Sequence, residues 1–170
     1  MMRRLFILLI LAQCGCAHAL SPSAGDEKRY DYHSYNYNAA FGGVKTVSLN
    51  ITDSTYVGWH TIDEMSVCAP STPEHCFKTP AFSFCVPKQF ATPTGSNYSC
   101  RGNIYTVRAI TVLRILGETI ETFEITARFG KNPLITFYFS RTNGLLAIKF
   151  DGPEEIGEIY LSEQKRGFPY

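Results

Sequence analysis

IYTVRAITVLRILGETIETFEITARFGKNPLITFYFSRTNGLLAIKF, residues 104–150, is the stretch on which the fold turns. Phe123, Ile125, Ala127 and Phe129 alternate there with Glu124, Thr126 and Arg128, the period of two that sends successive side chains to opposite sides of a strand. Ile135, Phe137 and Phe139 repeat the alternation, and Leu146, Ile148 and Phe150 repeat it again. Consecutive antiparallel strands sharing one apolar face are therefore expected.

Turn chemistry suggests how they pair. Asn143-Gly144 is a strong hairpin signal, because a type I′ turn needs positive φ at both central residues. With those two as the loop, Thr142 faces Leu145, Phe139 faces Ile148 and Phe137 faces Phe150, so turn residues and apolar pattern select one register. Gly130-Lys131-Asn132-Pro133 is a turn by composition; matching Phe129 with Ile135 then requires a loop of odd length that includes Leu134, or a bulge. At the first hairpin two registers compete. A Gly117-Glu118 turn sets Val112 opposite Phe123, Ile110 opposite Ile125 and Arg114 opposite Glu121 on the buried side. A three-residue loop instead buries Val107, Ala109, Leu113 and Ile115 and turns Arg108 and Arg114 to water, which is preferred because an unpaired charge on an apolar face is costly.

Upstream, Val47, Leu49 and Ile51 alternate through residues 44–51 and predict a strand closed by Thr52-Asp53-Ser54. Residues 55–62, which include the only tryptophan, Trp59, predict a second. Before them, RYDYHSYNYNAAFGG (residues 29–43) holds Tyr30, Tyr32, Tyr35 and Tyr37. It is expected to be an irregular arm laid across the sheet, phenols outward; the same tyrosines would also suit a recognition surface, since tyrosine gives large contact area at low entropic cost. After the block, Asp151-Gly152-Pro153 breaks the chain, residues 156–161 predict a short edge strand kept soluble by Glu154, Glu155 and Glu158, and residues 163–170 a polar tail.

Residues 68–100 differ in character: they contain Pro70, Pro73, Pro80, Pro87 and Pro93 together with Cys68, Cys76, Cys85 and Cys100. Four cysteines in an exported chain imply two disulfides, and the local pairing Cys68 with Cys76 and Cys85 with Cys100 is preferred because short loops close with the least entropy loss. Closely spaced zinc pairs are absent, and the bridges are expected to replace secondary structure there. The expected fold is mainly β: a single antiparallel sheet, a meander of four to five C-terminal strands plus two N-terminal strands, curled or half-barrel-like, with this disulfide-stapled, proline-rich excursion. The chain then divides into a signal peptide (1–19), a flexible tyrosine-rich arm (20–43), one β domain (44–162) holding the stapled loop 68–100, and a tail (163–170).

The compartment rests on the leader. Arg3 and Arg4, the apolar run 5–12 and Ala17-His18-Ala19 fit a secretory signal with small residues at its cleavage site. Leu11-Ala12-Gln13-Cys14 resembles the box before the lipid-modified cysteine of bacterial lipoproteins, which makes Cys14 or Cys16 an alternative lipidation site. The protein is thus expected in the periplasm or outside the cell, with membrane contact only through such an anchor. Without Arg3 and Arg4 the 16 basic residues fall to 14 against 15 acidic ones, a balance that argues against a nucleic-acid partner. Asn50-Ile51-Thr52 and Asn97-Tyr98-Ser99 satisfy the glycosylation sequon, which matters only in a eukaryotic secretory pathway.

Chemistry is sparse. Outside the leader stand His33, His60 and His75. His60 with Asp63 and a serine assembles a triad only on paper, since no nucleophile elbow occurs. Asp31 and His33 share one face of an extended chain but supply two metal ligands at most, and the carboxylates of Asp63-Glu64 and Glu154-Glu155 diverge in a strand. No catalytic, cofactor or metal residues are assigned. Three functions remain: a non-catalytic envelope or secreted interaction or structural protein whose partner is an unknown macromolecule; a binder of lipid or another apolar small molecule in the curled sheet; and, last, an exported hydrolase. Packing separates the first two, because a filled aromatic interior leaves no cavity.

Overall fold

A computed structural model of the chain describes residues 28–35, 44–58, 61–130, 134–151 and 158–169. The described residues are all strand, turn and loop. Four strands come first: β1 (Arg29–Tyr35), β2 (Val44–Asn50), β3 (Thr55–Gly58) and β4 (Thr61–Glu64). Three short ones follow, β5 (Ser66–Val67), β6 (Glu74–Lys78) and β7 (Ser83–Pro87). The rest are β8 (Asn97–Cys100), β9 (Asn103–Ile115), β10 (Glu118–Arg128), β11 (Leu134–Ser140), β12 (Gly144–Phe150) and β13 (Glu158–Ser162).

Ten strands form one antiparallel sheet in the order β4-β3-β2-β1-β13-β12-β11-β10-β9-β8, and β5-β6-β7 form a second. The large sheet is two meanders joined where β1 meets β13, Tyr32 pairing with Ser162 and His33 with Leu161. Its outermost strands, β4 and β8, do not pair, so the sheet is open. Those two strands flank the segment carrying β5 to β7 in the sequence, so that segment must pass from one edge of the sheet to the other. It does so across the apolar face, and its own side chains complete the core.

That core is aromatic. Phe77, Phe82, Phe84 and Phe90 come from the crossing segment, and all are at most 5 % exposed. Phe84 lies 5.2 Å from Phe137, Phe82 5.4 Å from Phe150, and Phe90 5.1 Å from Phe123 and 5.6 Å from Phe139. Most of these rings meet edge-on or tilted, as their quadrupoles favour. The cysteine pairs are those expected. Cys68, just after β5, and Cys76 in β6 have Cα atoms 5.2 Å apart; Cys85 and Cys100, 6.0 Å apart, join β7 to β8 and so tie the two layers together. Contrary to expectation, the bridges do not replace secondary structure in residues 68–100, because the alternation in Cys76-Phe77 and Phe84-Cys85-Val86 gives a hairpin of its own.

Several local expectations change. Residues 29–35 are not an arm but a strand between β2 and β13, with Tyr30 and Tyr32 on the core side; residues 20–27 and 36–43 lie outside the described ones. Residues 55–62 are two strands of a hairpin, Val57 opposite Ile62, and Trp59 lies outside the described residues. The strand expected at the edge, near residues 156–161, is β13, and it is interior, lying between β1 and β12. The tail is not wholly polar in its placement: Phe168 is 4 % exposed and bridges Leu145. There is no space for a side chain at Gly167, whose Cβ would overlap the Leu145 carbonyl.

Registers shift as well. The turn before β12 is Arg141-Thr142-Asn143, with Ser140 opposite Gly144, and Gly144 alone takes positive φ (77°). A bulge at Leu146 then places Phe137 opposite Ile148, Ile135 opposite Phe150 and Phe139 opposite Leu145, which keeps these residues on one face although the expected partners differ. Leu134 is in the strand, opposite Arg128, rather than in the loop. Leu116-Gly117 forms the β9–β10 turn, both with positive φ (49° and 82°), so neither expected register holds. A bulge at Arg108 explains the ambiguity: Val107 and, beyond it, Ile110 and Val112 share the core-side face, whereas Leu113 and Ile115 join Ile120 on the other.

Candidate functional site

Three places on the molecule could carry chemistry or recognition: the aromatic interior with its flanking clefts, a polar strip on the outer face, and the β9–β10 hairpin. Much of the interior is occupied by the crossing phenylalanines, which are at most 5 % exposed. Phenols stitch the layers together there. Tyr98 Oη donates to the Cys85 carbonyl at 2.9 Å and Tyr105 Oη to the Ser83 carbonyl at 3.3 Å, and the two rings stack at 5.3 Å. Burial drives the pKa of Tyr32, Tyr98 and Tyr105 well above the ordinary tyrosine value, which keeps them neutral donors.

Open clefts border the small sheet, two of them large. One, of about 670 Å³, runs past Lys78, Phe82, Arg101, Asn103 and Phe129. The other, of about 570 Å³, has Phe90 and Phe139 among its lining with His75, Lys88 and Arg141 around them. Lys88 Nζ donates to the Pro70 carbonyl, and Arg141 stands 4.7 Å over the Phe123 ring.

The polar strip comes from β1 and β2. Ser48 Oγ donates to Asp31, which also pairs with Arg29 at 3.0 Å. Thr46 Oγ1 is 3.0 Å from His33 Nδ1, and Glu163 Oε1 is 2.8 Å from His33 Nε2. This succession of hydroxyl, imidazole and carboxylate has the order of a nucleophile relay, but none of the clefts is lined by His33 or Thr46. Sequence reasoning paired His33 with Asp31 and missed Thr46 and Glu163, because those residues meet only through the β1–β2 register and the docking of the segment after β13. Among the described residues no group of three metal-ligating side chains converges.

Of the tyrosines singled out as a surface, Tyr30 and Tyr32 are buried, so they are not one; Tyr35 ends β1, and Tyr37 lies outside the described residues. Tyr32 has a different role: its hydroxyl donates to the Leu145 carbonyl at 3.0 Å and accepts from the Phe168 amide at 3.3 Å. Cys14, Cys16, His60 and the leader lie outside the described residues. Asn97, in the outermost strand, is exposed, whereas the side chain of Asn50 bonds Asp53 in the following turn.

The hairpin is where apolar surface is left over. Among the described residues the exposed large hydrophobics are Ile62, Ile104, Ile110, Val112 and Leu116, and all but Ile62 sit on β9 or at its tip. Arg108 and Arg114 are exposed beside them, as expected. The molecule is thus an open, two-layer, all-β protein with two cysteine pairs at disulfide distance. Comparison with protein-family models, curated proteins and solved structures finds no match. No helix among the described residues is long and apolar enough to cross a membrane.

Proposed function

We propose that the protein is exported and acts as a non-catalytic interaction protein, a rigid sheet presented to another macromolecule. The leader and the two cysteine pairs support export, since disulfides persist in oxidising compartments. One observation carries the interaction reading: the sheet fills its apolar face with its own phenylalanines, while exposed hydrocarbon gathers on one hairpin. Native mass spectrometry with cross-linking, on protein isolated from its own source, tests it. A stoichiometric protein partner is expected; a copurifying lipid with no protein partner would overturn the reading.

The binder reading survives in one place. The cleft with Phe90 and Phe139 among its lining and His75, Lys88 and Arg141 around it would suit a small amphiphile with an acidic head. The same mass measurement separates cleavage after Ala19 from lipidation at Cys14 or Cys16.

A further inference from the structure

We infer that the outer edge of β9, from Arg108 to Ile115, is a strand-docking site whose partner is an extended segment of another protein with alternating apolar and acidic side chains. This deepens the interaction reading and rests on it. β8 accompanies β9 only to Thr106, and the Gly95 and Ser96 backbone bonds Val107 and goes no further. Beyond that point, among the described residues, β9 is paired on its β10 side alone. The free edge is about 26 Å of extended chain, long enough for a full added strand.

Soluble proteins usually protect such an edge with proline, charge or brevity. Here a bulge at Arg108 twists its beginning, but Ile110 and Val112 follow at 50 % and 59 % exposure. At the tip Leu116 is 63 % exposed and holds φ at 49°, a left-handed conformation that asparagine or glycine would adopt with less strain. Strain and exposed hydrocarbon at one residue both work against local stability, which points to a use for that side chain.

Charge selects the partner. From Asn103 to Gly117 the chain carries Arg108 and Arg114 and no acidic residue. Arg108 bonds Thr126 Oγ1, and neither arginine has an ion pair among the described residues. Two copies meeting by this edge would oppose like charges, whereas an acidic strand would neutralise them.

Nuclear magnetic resonance titration of the disulfide-intact chain tests this with three capped peptides: alternating Val and Glu, alternating Val and Lys, and the Val/Glu peptide N-methylated on alternate amides. The Val/Glu peptide is expected to shift amides in 107–116 and to bind about tenfold more tightly than the Val/Lys peptide. The N-methylated peptide is expected not to bind. Arg108→Glu with Arg114→Glu should reverse the charge preference, and Leu116→Asn should weaken binding while raising stability. Equal binding of both charges, or shifts confined to other residues, would overturn the inference. So would self-association by sedimentation that Val112→Lys abolishes, since a second copy would then occupy the edge. In the cross-linking experiment above, a partner attached outside 104–116 removes this site and leaves the interaction reading standing; lipid without protein removes both.

Discussion

The two halves of β9 carry similar apolar residues and end in opposite surroundings. In the first half Tyr105 and Val107 are fully buried, under a crossing segment held by Cys85–Cys100 and the stacked Tyr98. In the second half Ile110 and Val112 point to the same side of the sheet and are half or more exposed. Phe90 reaches Phe123, the cross-strand partner of Ile110, and no described residue covers the hydrocarbon beyond it. Alternation therefore determines which way a side chain points, and coverage determines whether it is core.

The largest expected contrast is between one substitution in each region. Phe84→Ala, at a fully buried ring touching Phe77, Phe137, Phe139 and Phe168, should cost about 3–5 kcal/mol in chemical denaturation. Val112→Ala should stay within about 0.5 kcal/mol; a comparable loss at both sites would mean the hairpin is covered. Next, Cys85→Ser with Cys100→Ser should remove about 2–4 kcal/mol. Hydrogen exchange should then rise first in β6 to β8 while β11 and β12 stay protected. Uniform acceleration would show that the layers do not separate.

Tyr32→Phe probes the seam of the covered part, where one hydroxyl joins Leu145 to Phe168. A loss of about 1–2 kcal/mol is expected, with Phe168 released in fluorescence or exchange measurements. The smallest effect is acid loosening of the covered part. His75 has its pKa lowered below 6.5 by burial and then by Lys88, so its contribution is complete above pH 6.5 and is lost as pH falls below that value. Glu158 is held below 4.5: burial raises its pKa, but hydrogen bonds from Lys45 and Tyr160 outweigh it, so its contribution is present above pH 4.5 and is lost as pH falls through the lowered value. Stability measured against pH should thus decline in two stages. His75→Gln should remove the first alone.

What could be read in advance follows from the range of each interaction. Strand identity in 104–150, the inward set Phe123, Ile125, Phe137 and Ile148, and the pairing of nearby cysteines are local, and local patterns show them. Bulges at Arg108 and Leu146 escaped because each inserts one residue without altering composition. Residues 29–35 looked like an arm because the partners of β1 lie in β2 and in β13, the latter far away in sequence. The open edge and the juxtaposition of Thr46, His33 and Glu163 left no trace in any motif, since both depend on which strands become neighbours.

The sequence by itself determined that this chain is β and that Phe123, Ile125, Phe137 and Ile148 share one face, and it favoured the local cysteine pairing, because period and short loop closure act over a few residues. Only the tertiary structure decided that β1 and β13 pair inside the sheet, that the cysteine-rich crossing becomes the second layer of the core, and that half of β9 is left without a second neighbour among the described residues. Those outcomes depend on contacts between residues far apart in the chain, whose pairing is selected by the burial of the whole aromatic face and not by any one segment.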